Sequence, residues 1–336
     1  MRRVYLVFCG LVPAVLVAVV AGTSIGAAPI PISHVLDLLL SSHARAADPA
    51  GAQILLELRL PRVLAAILAG ASLSVSGCGL QALLRNPLAD PYVLGVSAGA
   101  SLGAAIVIAA GVTMALSGLA VPGAAILGAV LATALVFGAA QSRGALPGTV
   151  LLLAGVVTAS VLGSLVSIVL FASAGSDRMQ QIVLWTMGGF GEADWPRVLA
   201  VLPITLAGSL LLWALGRDIN LLSFGEDPAR YLGANVENLK RGILIVCAVL
   251  TGGAVALGGV IGFVGLIVPH ACRKIVGPNH RVLLPASFLA GGAFLALADL
   301  VARTFYAPTE LPVGLLTGLI GGPFFLALMR SARGGK

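Results

Sequence analysis

The chain is a succession of apolar stretches, and their length constrains it more than any other feature. Runs of the roughly 17–25 residues that a helix needs to cross a hydrocarbon core fall near 4–24, 58–84, 92–111, 115–140, 147–172, 195–215, 241–258, 259–276, 282–303 and 311–330. The seventh and eighth meet at Gly258-Gly259. Hydrophobic residues make up 59% of the chain and charged residues only 10%, against about 25% charged in a soluble domain. The 43 glycines and 18 prolines interrupt these runs without a collagen period, and packed membrane helices tolerate both. The pattern predicts an all-α polytopic membrane protein with about ten transmembrane helices.

An even number of spans puts both termini on one side, and cytoplasmic loops carry an excess of Lys and Arg. With the N-terminus inside, Arg2, Arg3, Arg85, Arg143, Arg217, Arg230, Lys240, Arg273, Lys274 and Lys336 lie inside with several others. Arg45, Arg59, Arg62, Arg178, Arg197 and Arg303 lie outside. The expectation is N-in/C-in. The same placement turns the net charge of +7 into a topology signal rather than a nucleic-acid surface. Met1-Arg2-Arg3 and the run to Ala21 could pass for a signal peptide, but the apolar core exceeds the usual h-region of about 7–15 residues, so an uncleaved first helix is expected.

One stretch breaks the apolar background. Arg85-Asn86-Pro87-Leu88-Ala89-Asp90-Pro91 is a short aqueous loop, followed by Gly95, Gly99 and Gly103. Read as one helix from Tyr92 to Gly111, those glycines share a face and permit close helix packing, where lipid supplies no hydrophobic drive to associate.

Several chemistries are excluded. Gly95-Val96-Ser97-Ala98-Gly99 matches the GxSxG of serine hydrolases, but that motif needs a strand-to-helix turn with a His and an acid. Here it opens a spanning run, and His34, His43, His270 and His280 have no evident acid partner. No lysine among Lys240, Lys274 and Lys336 is followed by Ser or Thr, so there is no P-loop and any ATP is hydrolysed on another chain. Cys9, Cys78, Cys247 and Cys272 have no CxxC spacing and read as small buried hydrophobes; no metal site is expected. The span centres nearly lack Asp and Glu, which lowers a stand-alone ion-coupled carrier. Asp299 has the four-residue spacing for a local pair with Arg303.

Three features have two readings each. Arg59, Arg62 and Arg303 lie on the side where positive charge is disfavoured; they are membrane anchors or carboxylate receptors for an outer partner. Segment 217–241 is a solvated connector or a docking surface, with Gly225 and Gly233 bounding a helical pattern from Asp227 to Leu232. Segment 173–195 holds Trp185-Thr186-Met187-Gly188-Gly189-Phe190, too short to span and suited to a half-helix re-entering from outside.

The segments LRLPR (58–62), NPLADPYVLGVSAGASLGA (86–104), WTMGGFGEADW (185–195), GFVGLIVPHACR (262–273), NHRVLLPASFLAGGAFLALADLVAR (279–303) and ELPVGLLTGLIGGPFF (310–325) closely resemble the FecCD/BtuC-type permeases. These are the membrane subunits of type II ABC importers for iron-siderophores, haem and cobalamin. The resemblance implies one permease domain over 1–336 with a BtuC-like fold in a bacterial inner membrane. It also implies a homodimer with a pathway between subunits, two cytoplasmic ATPase subunits carrying ATP-Mg, and a periplasmic binding protein; no cofactor is expected in this chain. By the same resemblance the loop 217–241 docks the ATPase through Glu226, Asp227, Ala229, Arg230, Leu232 and Gly233, and Arg59, Arg62 and Arg303 receive acidic residues of the binding protein. Gly155, Thr158, Ser160 and Ser164 of the fifth run line the pathway. The cargo implied is a bulky metal chelate, haem or an iron-siderophore, with cobalamin as the alternative; His34, His43, Met179 and Met187 are candidate haem ligands. Phe224 replaces a common Leu, and Pro228 interrupts the charged run of the inner loop.

Overall fold

The structure, a computed structural model, describes residues 2–26, 28–113, 115, 118–141 and 146–333. Arg143 and Lys336, two of the charges used for topology, lie outside them. The first helix, α1 (Arg2–Ser24), leads into three short helices, α2 (Ile32–Leu40), α3 (Ser42–Ala47) and α4 (Pro49–Gln53). A π-helical stretch, Ile54–Arg59, joins α4 to α5 (Leu60–Leu83). A 3-10 turn, Pro91–Leu94, precedes α6 (Val96–Ala110), then α7 (Ala120–Ala140), α8 (Gly148–Ala172), α9 (Asp177–Met187) and α10 (Trp195–Ala214). The remainder is α11 (Gly216–Ser223), α12 (Glu226–Tyr231), α13 (Val236–Gly258), α14 (Val264–Val276), α15 (His280–Thr304) and α16 (Val313–Arg333). The end of the bundle bearing α2 to α4 is called outer and the end bearing α11 and α12 inner.

Among the described residues, 7 helices are long and apolar enough to cross a membrane: those of α1, α4 through α5, α7, α8, α10, α13 and α15. Three expected spans are not among them: 311–330, whose apolar helical part is Val313–Ala327, and two others. The run 92–111 yields only 15 helical residues in α6, about 22 Å of helix, because Asp90 caps the 3-10 turn through Tyr92 N–H and Gly95 takes φ +74°. The run 259–276 yields only 13 in α14, about 20 Å; Gly259 at φ +67° and Phe263 at φ +69° hold the preceding segment out of the helix. Both fall short of the ~30 Å hydrocarbon core.

The centre of the bundle is α5, almost wholly buried, and its small residues explain why. A Cβ on Gly70 would fall on the Gly291 carbonyl of α15, and one on Gly77 on the Gly265 carbonyl of α14. Gly79 faces Cys247 of α13, and Ser72 Oγ lies 2.9 Å from Thr205 Oγ1 of α10. Main chains therefore touch where larger side chains would separate them. At its inner end α5 closes with Arg85 at φ +47°, while Asn86 N–H donates to Gln81 O at 3.0 Å. The Gln81 side-chain amide then donates to Gly265 O at 3.3 Å, tying the proline-bounded loop to α14.

The glycine ladder is two packing sites and a hinge. Gly99 and Gly128 are reciprocal, each Cβ position lying against the other's carbonyl, and Gly103 rests on Ala124 O of α7. Gly95 is outside the helix, which corrects the reading of three glycines on one face. Its positive φ starts α6, and Ser97 lies in that first turn. Gly99→Leu is expected to destabilise the protein by about 1–3 kcal/mol or more, since overpacking here displaces backbone, and Gly95→Ala by about 1 kcal/mol through strain at positive φ. Ser97→Ala should stay within about 0.5 kcal/mol. Thermal unfolding in lipid nanodiscs measures all three, and a Ser97→Ala loss larger than that of Gly99→Leu would refute this packing account.

Candidate functional site

Four features lie on surfaces or in cavities where a transport function could act, two at the outer end, one along α8 and one at the inner end. The outermost is a cluster of charges. Arg62 grips Asp299 in fork geometry, Nε to Oδ2 at 3.0 Å and Nη2 to Oδ1 at 2.9 Å, and its Nη1 donates to Glu310 Oε1 at 2.9 Å. Asp299 is 1% exposed and Glu310 46%. Arg303 Nε lies 3.8 Å from Asp299 Oδ2, so the four-residue spacing does bring that pair together. The dominant partner of Asp299, however, is Arg62 on α5, which the local spacing could not reveal.

The other two arginines are not free surface charges. Arg59 donates to Thr23 O at 2.8 Å, to Ser24 O at 3.1 Å and to Ala28 O, and Arg303 donates to Gly22 O. They supply donors and positive charge to the last turn of α1, where carbonyls lack partners and the helix dipole is negative. Both are under a tenth exposed.

Beneath the cluster is a cavity of about 640 Å³ walled by Arg62, Gln181, Trp185, Glu192, Arg197 and Glu310 together with apolar side chains of α6, α7, α9 and α16. Its floor is a junction of three irregular segments. Gly189 N–H donates to Gly258 O at 2.8 Å, and Gly314 N–H to Gly188 O at 3.4 Å. A Cβ on Gly188 would meet Val260 O, one on Gly259 the Trp185 carbonyl, and one on Gly314 the Met187 carbonyl. The short half-helix expected between 173 and 195 is α9. The sequence reading missed the junction; its signal was the paired glycines 188–189 and 258–259 and the glycine after Pro312.

The pathway residues divide. Gly155 is buried, its Cβ position blocked by Val93 O, and Thr158 packs beside Gly95. Ser160 and Ser164 stand on the exposed face of α8, their hydroxyls donating to Val156 O and Ser160 O at 2.9 and 3.0 Å. Internal bonding leaves that face apolar in effect despite its serines. Met179 and Met187 on α9 are exposed. His34 Nε2 does find an acid, Asp48 Oδ2, at 2.9 Å, correcting the expectation of none; with the Gly51 N–H, that hydrogen bond holds the Asp48 carboxyl below the usual range.

At the inner end α11 and α12 form an elbow. Pro228 falls in the first turn of α12, where its missing N–H costs nothing. Ala229 is fully buried and Gly233 ends the element at φ +89°. Arg230 faces Glu226, Asp227 and Glu237 at 3.7, 3.8 and 3.3 Å. Lys240, buried, pairs with Glu226 and donates to Leu146 O at 3.1 Å. Asn220 Oδ1 accepts from His280 N–H at 2.9 Å, Asn220 Nδ2 donates to Asn279 Oδ1 at 3.0 Å, and Trp213 Nε1 donates to Arg281 O at 3.0 Å. The Asn220 bonds dock the elbow, and the Trp213 bond the end of α10, on the start of α15. Phe224, Tyr231 and Leu232 project from it, 81%, 92% and 68% exposed; of the three, only Leu232 was expected.

Comparison with known proteins places this geometry. The model of the FecCD transport family matches residues 14–331. The chain is 45% identical over 284 residues to the cobalamin import system permease protein BtuC of Halobacterium salinarum, covering 84% of this chain and 75% of the relative. It is 42% identical over 281 residues to the hemin transport system permease protein HmuU of Yersinia pestis, covering 83% and 84%. A solved structure described as an inward-facing conformation of a metal-chelate type ABC transporter aligns with TM-score 0.84 at 32% identity, covering 97% of this chain and 99% of that one. The chain belongs to the FecCD transport family.

The charge cluster predicts an asymmetry. Asp299→Ala leaves two guanidiniums without their buried partner and is expected to cost about 3–5 kcal/mol. Glu310→Gln removes a half-exposed charge and should cost no more than about 1 kcal/mol. Thermal unfolding of both variants in nanodiscs checks the ordering.

Proposed function

We propose that this chain is the membrane permease subunit of an ATP-driven importer that carries a bulky metal chelate from periplasm to cytoplasm across a bacterial inner membrane. Two copies assemble with the pathway between them, N- and C-termini inside. The observation that carries the reading is the inner elbow, read together with the family. A well-anchored pair of short helices presents Phe224, Tyr231 and Leu232 to solvent in a chain without a P-loop. Exposed aromatics ringed by charge suit a protein partner, and ATP-Mg would be bound and hydrolysed by two copies of that partner. Glu226, Asp227 and Arg230 form the charged rim, Ala229 seats the helix and Gly233 lets the chain turn away.

At the outer end a periplasmic binding protein would dock on the arginine layer. Arg62 is the natural contact, because an incoming carboxylate can replace Glu310 at Nη1 while Asp299 keeps the fork. Arg59 and Arg303, engaged by α1, add positive potential below it. Ser160 and Ser164 support a lining on α8 that offers cargo few open hydrogen-bonding groups, which suits release. The cargo is haem, an iron-siderophore or cobalamin. Relatives of nearly equal identity are named for cobalamin and for haem, so similarity alone does not choose among them.

Reconstitution tests the reading. Chelate uptake into liposomes should require ATP, the partner ATPase and the binding protein, and competition among haem, a ferric siderophore and cobalamin identifies the cargo. Uptake by the permease alone on an ion gradient would replace the proposal with a secondary carrier. Leu232→Asp and Tyr231→Asp should leave the fold intact yet uncouple ATP hydrolysis from uptake, whereas Ala229→Asp should unseat the elbow itself. Arg62→Glu is expected to weaken binding-protein docking by about 2–5 kcal/mol, read by surface binding; unchanged affinity would reduce Arg62 to a structural ion.

A further inference from the structure

The chain between α1 and α5 folds into a small outer subdomain with its own core of Ile30, Val35, Leu38, Ala52 and Leu55. Its leading helix, α2, has more apolar face than that core covers. Val35 and Leu38 point inward, yet Ile32, Leu36, Leu39 and Leu40 are 55%, 51%, 38% and 83% exposed. At 100° per residue these four fall within an arc of about 100°. Ser33, Asp37 and His34 follow at about 100°, 140° and 200° on the same scale, along the flank beside Leu40 and away from Val35. Because Val35 and Leu38 are locked against Ala52 and Leu55, the rotation of α2 is set and the apolar arc is presented in one direction.

The depth of α2 is also set. The carbonyls of Gly22, Thr23 and Ser24 at the end of α1 accept from Arg303 and Arg59, which places that turn at the level of the outer charge cluster. The connection then folds back instead of leaving the bundle: Ile30 N–H donates to Ser24 O at 3.0 Å, and Ala28 O accepts from Arg59. So α2 starts at the level where α1 stops. Other side chains at this level suit a headgroup boundary. Ile25 continues the exposed apolar side of α1, Phe305 and Tyr306 are 76% and 64% exposed just past Arg303, and Leu58 is 60% exposed beside Arg59. Aromatic residues favour that boundary, with one side apolar and the other wet.

We propose that α2 is an interfacial helix, its Ile32, Leu36, Leu39 and Leu40 face seated in the outer leaflet and its Ser33, His34 and Asp37 side in water. The occupant is lipid because the arc continues the exposed apolar surface of α1 at the depth where hydrocarbon ends, the setting of monotopic amphipathic helices. Four partly exposed aliphatic side chains fall well short of the ~800 Å² per partner that a stable protein interface buries. Seated this way, α2 anchors the subdomain that carries Arg59, so the arginine layer is held at a fixed height above the bilayer core.

Spin-label accessibility tests the assignment. Cys78, Cys247 and Cys272 are buried and only Cys9 is exposed, so Cys9→Ala gives a background for single labels at Leu36→Cys, Leu40→Cys and Asp37→Cys. Leu16→Cys on α1 serves as the lipid reference. The full chain, assembled with its partner subunits, is placed in phosphatidylcholine–phosphatidylglycerol vesicles and probed with oxygen and a water-soluble nickel chelate. The oxygen-to-nickel accessibility ratio should exceed one at 36, 40 and 16 and fall below one at 37. Chelate uptake by each labelled variant confirms assembly, and a variant that fails to assemble is replaced by a label at Leu39→Cys, which must give the same ratio. A ratio at 36 and 40 no higher than at 37 overturns the proposal. So does dipolar broadening between labels on two chains, or shielding that arises only when the binding protein is added, since those results give the face to a second copy or to a protein partner.

Discussion

Helix ends in apolar surroundings govern this molecule, because the last carbonyls of each helix need donors that lipid cannot supply. At α1 the donors are Arg59 and Arg303, reaching in from α5 and α15. Those charges cannot be buried unopposed, and Asp299 opposes them while also holding Arg62. One need for hydrogen-bond donors thus draws four charged residues from two distant helices into a single layer. At the ends of α13 and α9 the same need is met differently, by main-chain amides of Gly189 and of Gly314 in the first turn of α16 donating across the junction. Main chain can serve there because glycine admits the close approach.

Close approach is the second consequence of an apolar solvent. Helices gain little by hiding leucines from lipid, so they gain by contact area and dispersion. The contacts of α5 with α14 and α15, and of α6 with α7, are built where a carbonyl occupies the space of a missing Cβ. Such sites have no room to adjust by rotamer changes. Substituting them moves whole helices, which separates them from ordinary core positions.

How legible this was depends on the range of the interactions. Length and hydropathy alone located α1, α5, α7, α8, α10, α13 and α15, since each is a local property of its own residues. The positions of Gly99 and Gly103 were legible because spacing along one helix reports a face. Gly95 misled for the same reason: the four-residue interval persists although positive φ removes it from the helix. The fork between Arg62 and Asp299 joins residues 237 positions apart, and nothing local to either predicts it. Side-of-membrane bias left Arg59 and Arg303 with two readings, anchor or carboxylate receptor, because it says where a charge lies along the membrane normal but not which way its side chain turns. Local spacing is equally silent on what Gly155 and Thr158 face. They are small residues on a helix whose other side is open, yet they face the 3-10 turn.

The helix that joins these ends is α15. Its start holds the elbow through Asn279 and His280 and the end of α10 through Arg281, and its last turns carry Asp299 and Arg303. Between them Gly291 and Gly292 lock it against α5 by backbone contact. Its 25 residues, with Pro285 inside the helix, span about 37 Å, so one element in contact with the buried centre reaches both the inner elbow and the outer charge layer. Hydrogen-bonded helices stretch little, and packing this tight resists sliding by fractions of a turn. At the outer end α15 presents Asp299 to Arg62. There Arg62 has two acceptors of unequal burial, the locked Asp299 and the half-exposed Glu310. The more solvent-exposed bond of the outer layer, between Arg62 and Glu310, stands at the opposite end of α15 from the elbow.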